Sequence, residues 1–123
     1  MGARACMNLE IVVLDANKEQ CQGLCAMLDE QNFRATPLHS LKDLRKIIEE
    51  NPYNVLILDL DTIQADKRLF RKLKRSKPSL FIMGLSSRPF HPELEEAMSS
   101  HIYACLSKPV DEEELLFWIK SLF

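Results

Sequence analysis

Three polar residues of this chain, Asp15, Asp59 and Ser86, each stand directly after an apolar run. Such a run is typical of a strand buried on both faces, and a charged group at its end must face solvent or a ligand. Lys108 comes two residues after another apolar segment, 102–106. If these segments are parallel strands of one open sheet, their carboxyl ends meet at the edge where such sheets bind ligands. The pattern therefore predicts a crevice that contains two carboxylates, a hydroxyl and an ammonium.

Asp15 and Asp59 lie side by side in that crevice if their strands are neighbours. Two carboxylates ~5 Å apart repel each other by about 3 kcal/mol at an effective dielectric constant near 20, so we expect a cation between them. Oxygen ligands at such a site favour Mg²⁺. A carboxylate nucleophile with a divalent cation, a lysine and a hydroxyl is suited to accept a phosphoryl group, because positioning and charge neutralisation supply most of the catalysis in that reaction.

The periodicity of the chain predicts a series of β-α units that would position these residues. Strands are predicted over 9–15, 33–38, 54–59, 80–85 and 102–106, and helices over 18–31, 41–50, 66–76, 92–100 and 111–122. Ser40, with Asp43 three residues on, is the predicted N-cap of the second helix, and Asp111 suits the start of the fifth.

Alternating strands and helices of this length predict an α/β fold with a parallel sheet and helices on both faces. The units are too few for a closed eight-stranded barrel, which leaves a doubly wound open sheet in a three-layer sandwich. We expect the strand order 2-1-3-4-5, in which the first and third strands are neighbours where the order reverses. That order places Asp15 beside Asp59.

Length and composition predict a single domain, since the chain has 123 residues and 46% of them are hydrophobic. No apolar stretch approaches the ~20 residues of a membrane span, and the N-terminus lacks the apolar segment of a signal peptide. We therefore expect a cytoplasmic protein with no membrane association, whose cysteines are thiols. Cys21 and Cys25 fall on the apolar face of the first predicted helix, which favours core packing over a redox or metal role.

Charge is unevenly distributed in this chain, although its net charge is only −2. Seven of the eleven residues from Lys67 to Lys77 are basic, whereas residues 111–114 are all acidic. A solvated helix face is the simpler interpretation of the basic segment, and a site for nucleic acid or an acidic partner is the alternative. The net charge does not favour nucleic acid, so we do not expect this domain alone to bind it.

Four short stretches, taken in order and spacing, make the chain similar to the receiver domain of two-component response regulators. They are Ile11-Val12-Val13-Leu14-Asp15, Val55-Leu56-Ile57-Leu58-Asp59-Leu60, Leu85-Ser86-Ser87 and Leu106-Ser107-Lys108-Pro109. The resemblance covers residues 9–123 and implies a flavodoxin-like (βα)5 receiver domain, with residues 1–8 as an N-terminal extension.

The resemblance implies a role for each matching residue. Asp59 is the expected acceptor of a phosphoryl group from a phosphohistidine of a sensor histidine kinase or a histidine phosphotransfer protein. Lys108 would contact a phosphoryl oxygen, and the Ser86 hydroxyl would move toward the phosphate. Asp15, Asp59 and the backbone carbonyl of Asp61 would hold Mg²⁺. The peptide bond between Lys108 and the following proline is expected to be cis, an isomer that proline makes accessible.

The chain departs from the family pattern beside the expected metal site. Ala16 follows Asp15 where a second acid usually supplies a direct metal ligand. Its absence should weaken Mg²⁺ binding by at least about 10- to 100-fold, which is the cost of losing an outer-shell partner. The side chain of Asp61, two residues beyond Asp59, is a candidate for compensation, and Asn17 is a weaker one.

Two further departures concern signalling. Cys105 occupies the place of the aromatic residue that usually swings inward on activation. Tyr103 shares its strand face by two-residue alternation and is a candidate substitute, although a packing or surface role is the simpler interpretation. Thr62-Ile63 stands where the family usually has Met-Pro, so the loop after the third strand should differ in shape.

Two functions of different classes are therefore expected. The first is a phosphoacceptor receiver, not an enzyme that acts on other molecules, which signals by phosphorylation-dependent binding of an unknown downstream protein. The second is a degenerate receiver that takes no phosphate and serves as a protein-interaction module. Ala16, Cys105 and Lys67 favour this interpretation, and Asp59, Lys108 and Ser86 oppose it. A flavin- or nucleotide-binding domain is disfavoured, because no glycine-rich phosphate loop follows the first strand.

Overall fold

The computed structural model describes residues 9–88 and 91–122, and the predicted extension 1–8 lies outside them. The strands are β1 (Glu10–Leu14), β2 (Arg34–Leu38), β3 (Val55–Asp59), β4 (Phe81–Ser86) and β5 (Ile102–Ser107). The helices are α1 (Lys18–Glu30), α2 (Leu44–Glu50), α3 (Lys67–Ser76), α4 (Glu95–Ser100) and α5 (Glu112–Lys120), with a short 3-10 helix at Pro92–Leu94 before α4. Each predicted strand is followed by its predicted helix.

The five strands form one parallel sheet in the order β2-β1-β3-β4-β5, which confirms the predicted doubly wound α/β topology. Leu14 of β1 pairs with Leu58 of β3. The residues that follow them, Asp15 and Asp59, therefore stand at neighbouring strand ends where the strand order reverses. This is the edge at which open α/β sheets bind ligands.

The helices cover both faces of the sheet, because successive strand residues point to opposite sides. On one face, α1 and α5 pack against β-strand residues through a cluster that includes Cys21, Leu28, Leu115, Ile119, Ile11, Val13 and Ile57. On the other face, α2, α3 and α4 contribute to a cluster that includes Leu44, Ile48, Phe70, Leu73, Ala97, Val12, Leu14, Leu56 and Leu58. β1 and β3 are thus covered on both sides, which fixes the positions of the side chains at their ends.

The second helix begins later than predicted, and the predicted Ser40 cap is wrong. Asp43 stands immediately before α2 with a φ of 64°, a left-handed conformation that aspartate tolerates better than most residues. The amide of Leu44 donates to the carbonyl of Leu41 at 3.0 Å, which closes a turn in place of the first helical turn. The prediction for Asp111 is confirmed, because its side chain accepts hydrogen bonds from the amides of Glu113 and Glu114 at the start of α5.

Cys21 and Cys25 are buried thiols in the core beneath α1, as predicted. Burial, together with a smaller effect of the neighbouring Cys21 in the same direction, raises the pKa of Cys25 to about 12. The pKa of Cys21 is also raised, chiefly by burial. Both residues therefore act as small apolar core side chains at neutral pH.

Within the described ranges, no helix has both the length and the apolar character needed to cross a membrane.

Candidate functional site

The carboxyl ends of β3, β4 and β5 bring Asp59, Ser86 and Lys108 to one crevice, and the end of β1 adds Asp15. Asp15 and Asp59 are each only 1% exposed. The cis peptide bond after Lys108, expected from the family resemblance, is present. The backbone amide of Lys108 donates to the carbonyl of Ser86 at 3.1 Å, so the end of β4 helps to place the lysine.

Lys108 links two carboxylates of the crevice. Its ammonium lies against Asp59 Oδ1 and is 3.0 Å from Asp61 Oδ2. Burial alone would lower the pKa of Lys108, but the hydrogen bonds to Asp59 and Asp61 outweigh it and the pKa is raised. Burial likewise acts to raise the pKa of Asp61, yet Lys108 and the amide of Ser87 together lower it. The lysine is therefore cationic and Asp61 anionic at neutral pH.

The two oxygens of Asp59 have different surroundings. Oδ2 accepts hydrogen bonds from the amide of Thr62 at 3.0 Å and from its hydroxyl at 2.8 Å. Oδ1 is buried, and within the described part of the chain no hydrogen bond of ordinary geometry reaches it besides the contact with the Lys108 ammonium. A buried carboxylate oxygen that faces a lysine and has no other hydrogen-bond partner is suited to bond to an incoming electrophile. Lys108 would then neutralise the negative charge on that group.

Thr62 is a site residue that the sequence reasoning missed. Its hydroxyl lies 2.8 Å from Asp59 Oδ2 and 3.0 Å from Asp15 Oδ1, and it accepts a hydrogen bond from the amide of Ala16 at 3.1 Å. The hydroxyl has one proton, so it donates to one carboxylate at a time. The only available signal was its position three residues after Asp59, which the family pattern marked as a change in the loop.

Asp15 is held by the start of α1. Its Oδ1 accepts from the amide of Asn17 at 2.9 Å, and its Oδ2 contacts the side-chain amide of Gln20. The Asn17 side chain accepts a hydrogen bond from the backbone amide of Gln20 at 3.0 Å and so caps the helix. The Asn17 side chain is thus engaged in capping the helix, and only its backbone amide contacts an acid of the crevice.

The donor atoms of Asp15 and Asp59 fit Mg²⁺, which in many proteins is held by one or two carboxylates, waters and phosphate oxygens. Both carboxylates converge on the Thr62 hydroxyl. The Asp61 side chain does not join them, because it is directed to Lys108 and to the amide of Ser87. Accordingly, no group of three or more metal-ligating side chains occurs among residues 9–88 and 91–122.

Ser86 is bonded to a residue that was not singled out from the sequence. Its hydroxyl lies 2.6 Å from Nε2 of His91, and both side chains are only 3% exposed. The hydroxyl also accepts from the amide of Arg88 at 2.9 Å. A single histidine five residues after a strand carries no sequence signal for this contact, because the contact depends on the path of the chain between β4 and α4.

Tyr103 packs on the β5 edge of the sheet, as the simpler interpretation predicted. Its ring forms edge-to-face contacts with Phe81 at 5.3 Å and Trp118 at 5.6 Å between centroids. Its hydroxyl bonds to the Ser121 hydroxyl at 2.7 Å. These contacts hold Tyr103 against α5, away from Ser86.

Several side chains of the basic segment 67–77 have structural partners. Arg71 Nε is 2.6 Å from a carboxylate oxygen of Glu96. The ammonium of Lys74 donates to the carbonyl of Leu80 at 2.7 Å, and that of Lys77 to the carbonyl of Asn51 at 3.1 Å. The segment is therefore a solvated helix with local partners, in line with the simpler interpretation.

The chain belongs to the response regulator receiver domain family, whose model matches residues 11–120. The sheet order and the acidic crevice at its carboxyl edge agree with that assignment. A comparison with curated proteins finds no match.

Solved structures with the same fold include two receiver domains and a two-component response regulator. The beryllofluoride-activated NtrC4 receiver domain dimer is 23% identical, with a TM-score of 0.81 over 93% of this chain and 95% of that one. A two-component response regulator from Clostridium difficile is 21% identical, with a TM-score of 0.81 over 93% and 94%. A CheY-like receiver domain protein from Methanospirillum hungatei JF-1 is 16% identical, with a TM-score of 0.82 over 93% and 92%. At these identities the likeness concerns the fold.

Proposed function

We propose that this receiver domain accepts a phosphoryl group on Asp59 from the phosphohistidine of a sensor histidine kinase or a histidine phosphotransfer protein. The observation that carries the proposal is the buried Asp59, whose Oδ1 faces the ammonium of Lys108. Two features of the crevice support it. Thr62 holds the other oxygen of Asp59 by two hydrogen bonds, and Asp61 is a second carboxylate partner of the lysine.

In the proposed reaction, Asp59 Oδ1 forms a bond to phosphorus while the bond between phosphorus and the donor histidine nitrogen breaks. The electron pair stays with the histidine nitrogen. Lys108 neutralises charge on the phosphoryl oxygens, and because it already lies at the crevice this requires little rearrangement. Asp61 keeps the lysine charged and oriented, since it binds the ammonium at 3.0 Å.

A bound Mg²⁺ would neutralise further charge on the phosphoryl oxygens. Asp15 and Asp59 are the side chains that would hold it, with the Asp61 carbonyl as a third ligand by family analogy. Ala16 supplies no carboxylate, so we propose that Mg²⁺ binds this receiver weakly in the absence of phosphate. The Thr62 hydroxyl lies between the two carboxylates that would hold the cation, within hydrogen-bond distance of both.

Phosphorylation is proposed to act through the binding of a downstream protein in the cytoplasm. Ser86 is the residue proposed to sense the phosphoryl group, because its hydroxyl stands at the end of β4 beside the acidic crevice. Its nearest carboxylate oxygen is Asp61 Oδ1, at 3.5 Å. The solved NtrC4 receiver is described as beryllofluoride-activated, and beryllofluoride is therefore a reasonable probe of this chain as well.

The proposal is tested by incubating the protein with acetyl phosphate, with and without Mg²⁺, and measuring its intact mass. We expect one phosphate adduct that grows with Mg²⁺ concentration and is absent from an Asp59→Asn variant. Asp66→Asn is the matched control, since Asp66 caps α3 outside the crevice and its loss should leave the adduct in place. No adduct at high Mg²⁺ would contradict the proposal.

An interaction module that takes no phosphate is the second candidate function. The observation that favours it is the cluster of aromatic rings at the β5 edge, where Phe117 is 65% exposed and contacts Trp118. Exposed aromatic rings are enriched in protein interfaces. If this candidate is correct, partner binding is unchanged by Asp59→Asn and is lost on Phe117→Ala.

A further inference from the structure

The backbone of His91 is held in place just before the 3-10 helix Pro92–Leu94. Its carbonyl accepts a hydrogen bond from the amide of Leu94 at 2.9 Å, and Leu94 is itself buried. The imidazole points back to the end of β4, where Nε2 meets the Ser86 hydroxyl at 2.6 Å. Among the hydrogen bonds that the Ser86 hydroxyl makes with described residues this is the shortest, and it is shielded from water because both side chains are buried.

The groups around the pair bear on which atom carries the proton in this bond. Nδ1 of His91 is 3.6 Å from Glu93 Oε1, and a carboxylate can only accept. The Ser86 hydroxyl already accepts from the amide of Arg88 at 2.9 Å. One arrangement that satisfies these groups has Nδ1–H on the side of Glu93 and the Ser86 hydroxyl donating its proton to Nε2, while the Ser86 oxygen accepts from the Arg88 amide.

In that arrangement the Ser86 hydroxyl donates its proton to His91, so the proton is not available to a group on Asp59. The other acceptors near this hydroxyl are more distant: the Arg88 carbonyl at 3.2 Å and Asp61 Oδ1 at 3.5 Å. A phosphoryl oxygen on Asp59 could accept the Ser86 proton only after the bond to His91 breaks. The two acceptors therefore compete for one donor.

The site has room for this exchange. A cavity of about 290 Å³ lies next to the pair and is lined by Ser86, His91, Met98, Cys105 and Leu106. One water occupies roughly 30 Å³ of liquid, so the cavity is large enough for a side chain to rearrange. The chain has the small residue Cys105 at this place, which leaves the space beside the imidazole open.

We propose that His91 is a positioning residue that holds the Ser86 hydroxyl in the unphosphorylated state and competes with the phosphoryl group for its proton. The inference rests on the proposed function, since it needs a phosphoryl group on Asp59. On this proposal, His91 weakens the interaction of the crevice with that group. Removal of the imidazole acceptor should strengthen the binding of a phosphoryl mimic.

The test measures the affinity of the protein for beryllofluoride in the presence of Mg²⁺. His91→Phe keeps a ring but has no acceptor, and we expect it to bind beryllofluoride about 2- to 10-fold more tightly, the fold-change that corresponds to the net contribution of one hydrogen bond. His91→Gln retains an acceptor oxygen and should bind as the wild type does. In a Ser86→Ala background, His91→Phe should have no effect, because there is no proton to compete for.

A second measurement keeps the inference falsifiable if His91→Phe does not fold. The ¹⁵N resonance of His91 Nε2 in the otherwise unchanged protein should shift on beryllofluoride binding toward its position in the Ser86→Ala variant. Beryllofluoride binding with no such shift, or with equal effects of His91→Phe in both backgrounds, would overturn this inference and leave the proposed function standing. No beryllofluoride binding by the wild type would overturn both.

Discussion

The hydroxyl of Thr62 lies 2.8 Å from Asp59 Oδ2, on the opposite oxygen from the one that faces Lys108. The amide of the same threonine donates to Oδ2 at 3.0 Å. One residue thus fixes the orientation of the carboxylate and leaves Oδ1 toward the lysine. The two oxygens of Asp59 are therefore inequivalent before any ligand binds.

Replacement of Thr62 by valine should destabilise the protein and increase its response to Mg²⁺. The variant keeps the side-chain shape but removes the donor between two buried carboxylates, at a cost of about 1–3 kcal/mol. Because a cation can then neutralise them without displacing a hydroxyl, Mg²⁺ should raise the stability of the variant more than that of the wild type. Urea denaturation with and without Mg²⁺ measures both effects.

Thr36→Val is the matched control for this experiment, since Thr36 is exposed on β2. We expect little change in stability and no change in the response to Mg²⁺. An equal response to Mg²⁺ in Thr62→Val and in the wild type would show that the hydroxyl does not occupy the cation position.

Asp61 should stabilise the folded protein at neutral pH and lose that contribution in acid. Its pKa is lowered, because Lys108 and the Ser87 amide outweigh the opposing effect of burial. A group with a lowered folded-state pKa adds stability above the unfolded-state pKa of about 3.9, and the contribution disappears as pH falls through the folded-state pKa. Asp61→Asn should therefore cost about 1 kcal/mol at pH 6, a modest value for a partly exposed pair, and progressively less below pH 4.

Urea denaturation of Asp61→Asn and wild type across this pH range measures the difference. In a Lys108→Met background the pH-dependent part should shrink, because a principal cause of the shift has been removed. A difference between the two proteins that does not vary with pH would contradict the assignment of Asp61 as an ionised partner of the lysine.

Lys108→Met should destabilise the protein strongly on its own and much less in an Asp59→Asn background. The single substitution leaves the carboxylate of Asp59 buried without its cation, a change that costs about 3–5 kcal/mol in comparable pairs. In the double variant the buried charge of Asp59 is gone as well, and only the more exposed carboxylate of Asp61 is left without the lysine. Lys120→Met, on the exposed side of α5, is the matched control and should change little. Equal costs of Lys108→Met in the two backgrounds would mean that the ion pair is not the source of the effect.

The residues that the sequence could place are those whose position depends on element order alone. Asp15, Asp59, Ser86 and Lys108 stand at or near strand ends, and parallel strands in the order 2-1-3-4-5 bring such ends together whatever the loops do. The apolar runs before these residues predicted the strands, and the alternation of strands with helices predicted the parallel sheet.

The residues that the sequence could not place depend on loop paths. Thr62 reaches both carboxylates because the turn after β3 directs its amide and hydroxyl back to Asp59. His91 reaches Ser86 from its position just before the 3-10 helix Pro92–Leu94. Ser40 was predicted as a cap from its residue type, but the left-handed Asp43 starts the helix later. Asp61 was expected near the metal ligands, whereas its side chain binds Lys108 instead.

The buried cysteines should resist modification in the folded protein. Burial raises the pKa of Cys25 to about 12, and Cys21 is fully covered, so neither offers a thiolate at pH 8. Cys105 is exposed at the β5 edge and should react with the reagent. The pKa of its thiol is also raised, by partial burial of the thiol and then by the charge of Asp61. Iodoacetamide labelling followed by peptide mass mapping measures this. Rapid labelling of Cys21 in the absence of urea would contradict the core assignment.

The most direct test of the central claim is to locate the phosphoryl group after treatment with acetyl phosphate and Mg²⁺. Borohydride reduces an acyl phosphate of aspartate to homoserine, which peptide sequencing by mass spectrometry can assign to one position. We predict homoserine at position 59 alone, and none when acetyl phosphate is omitted. Homoserine at Asp15 or Asp61, or none at position 59, would contradict the claim that Asp59 is the phosphoryl acceptor.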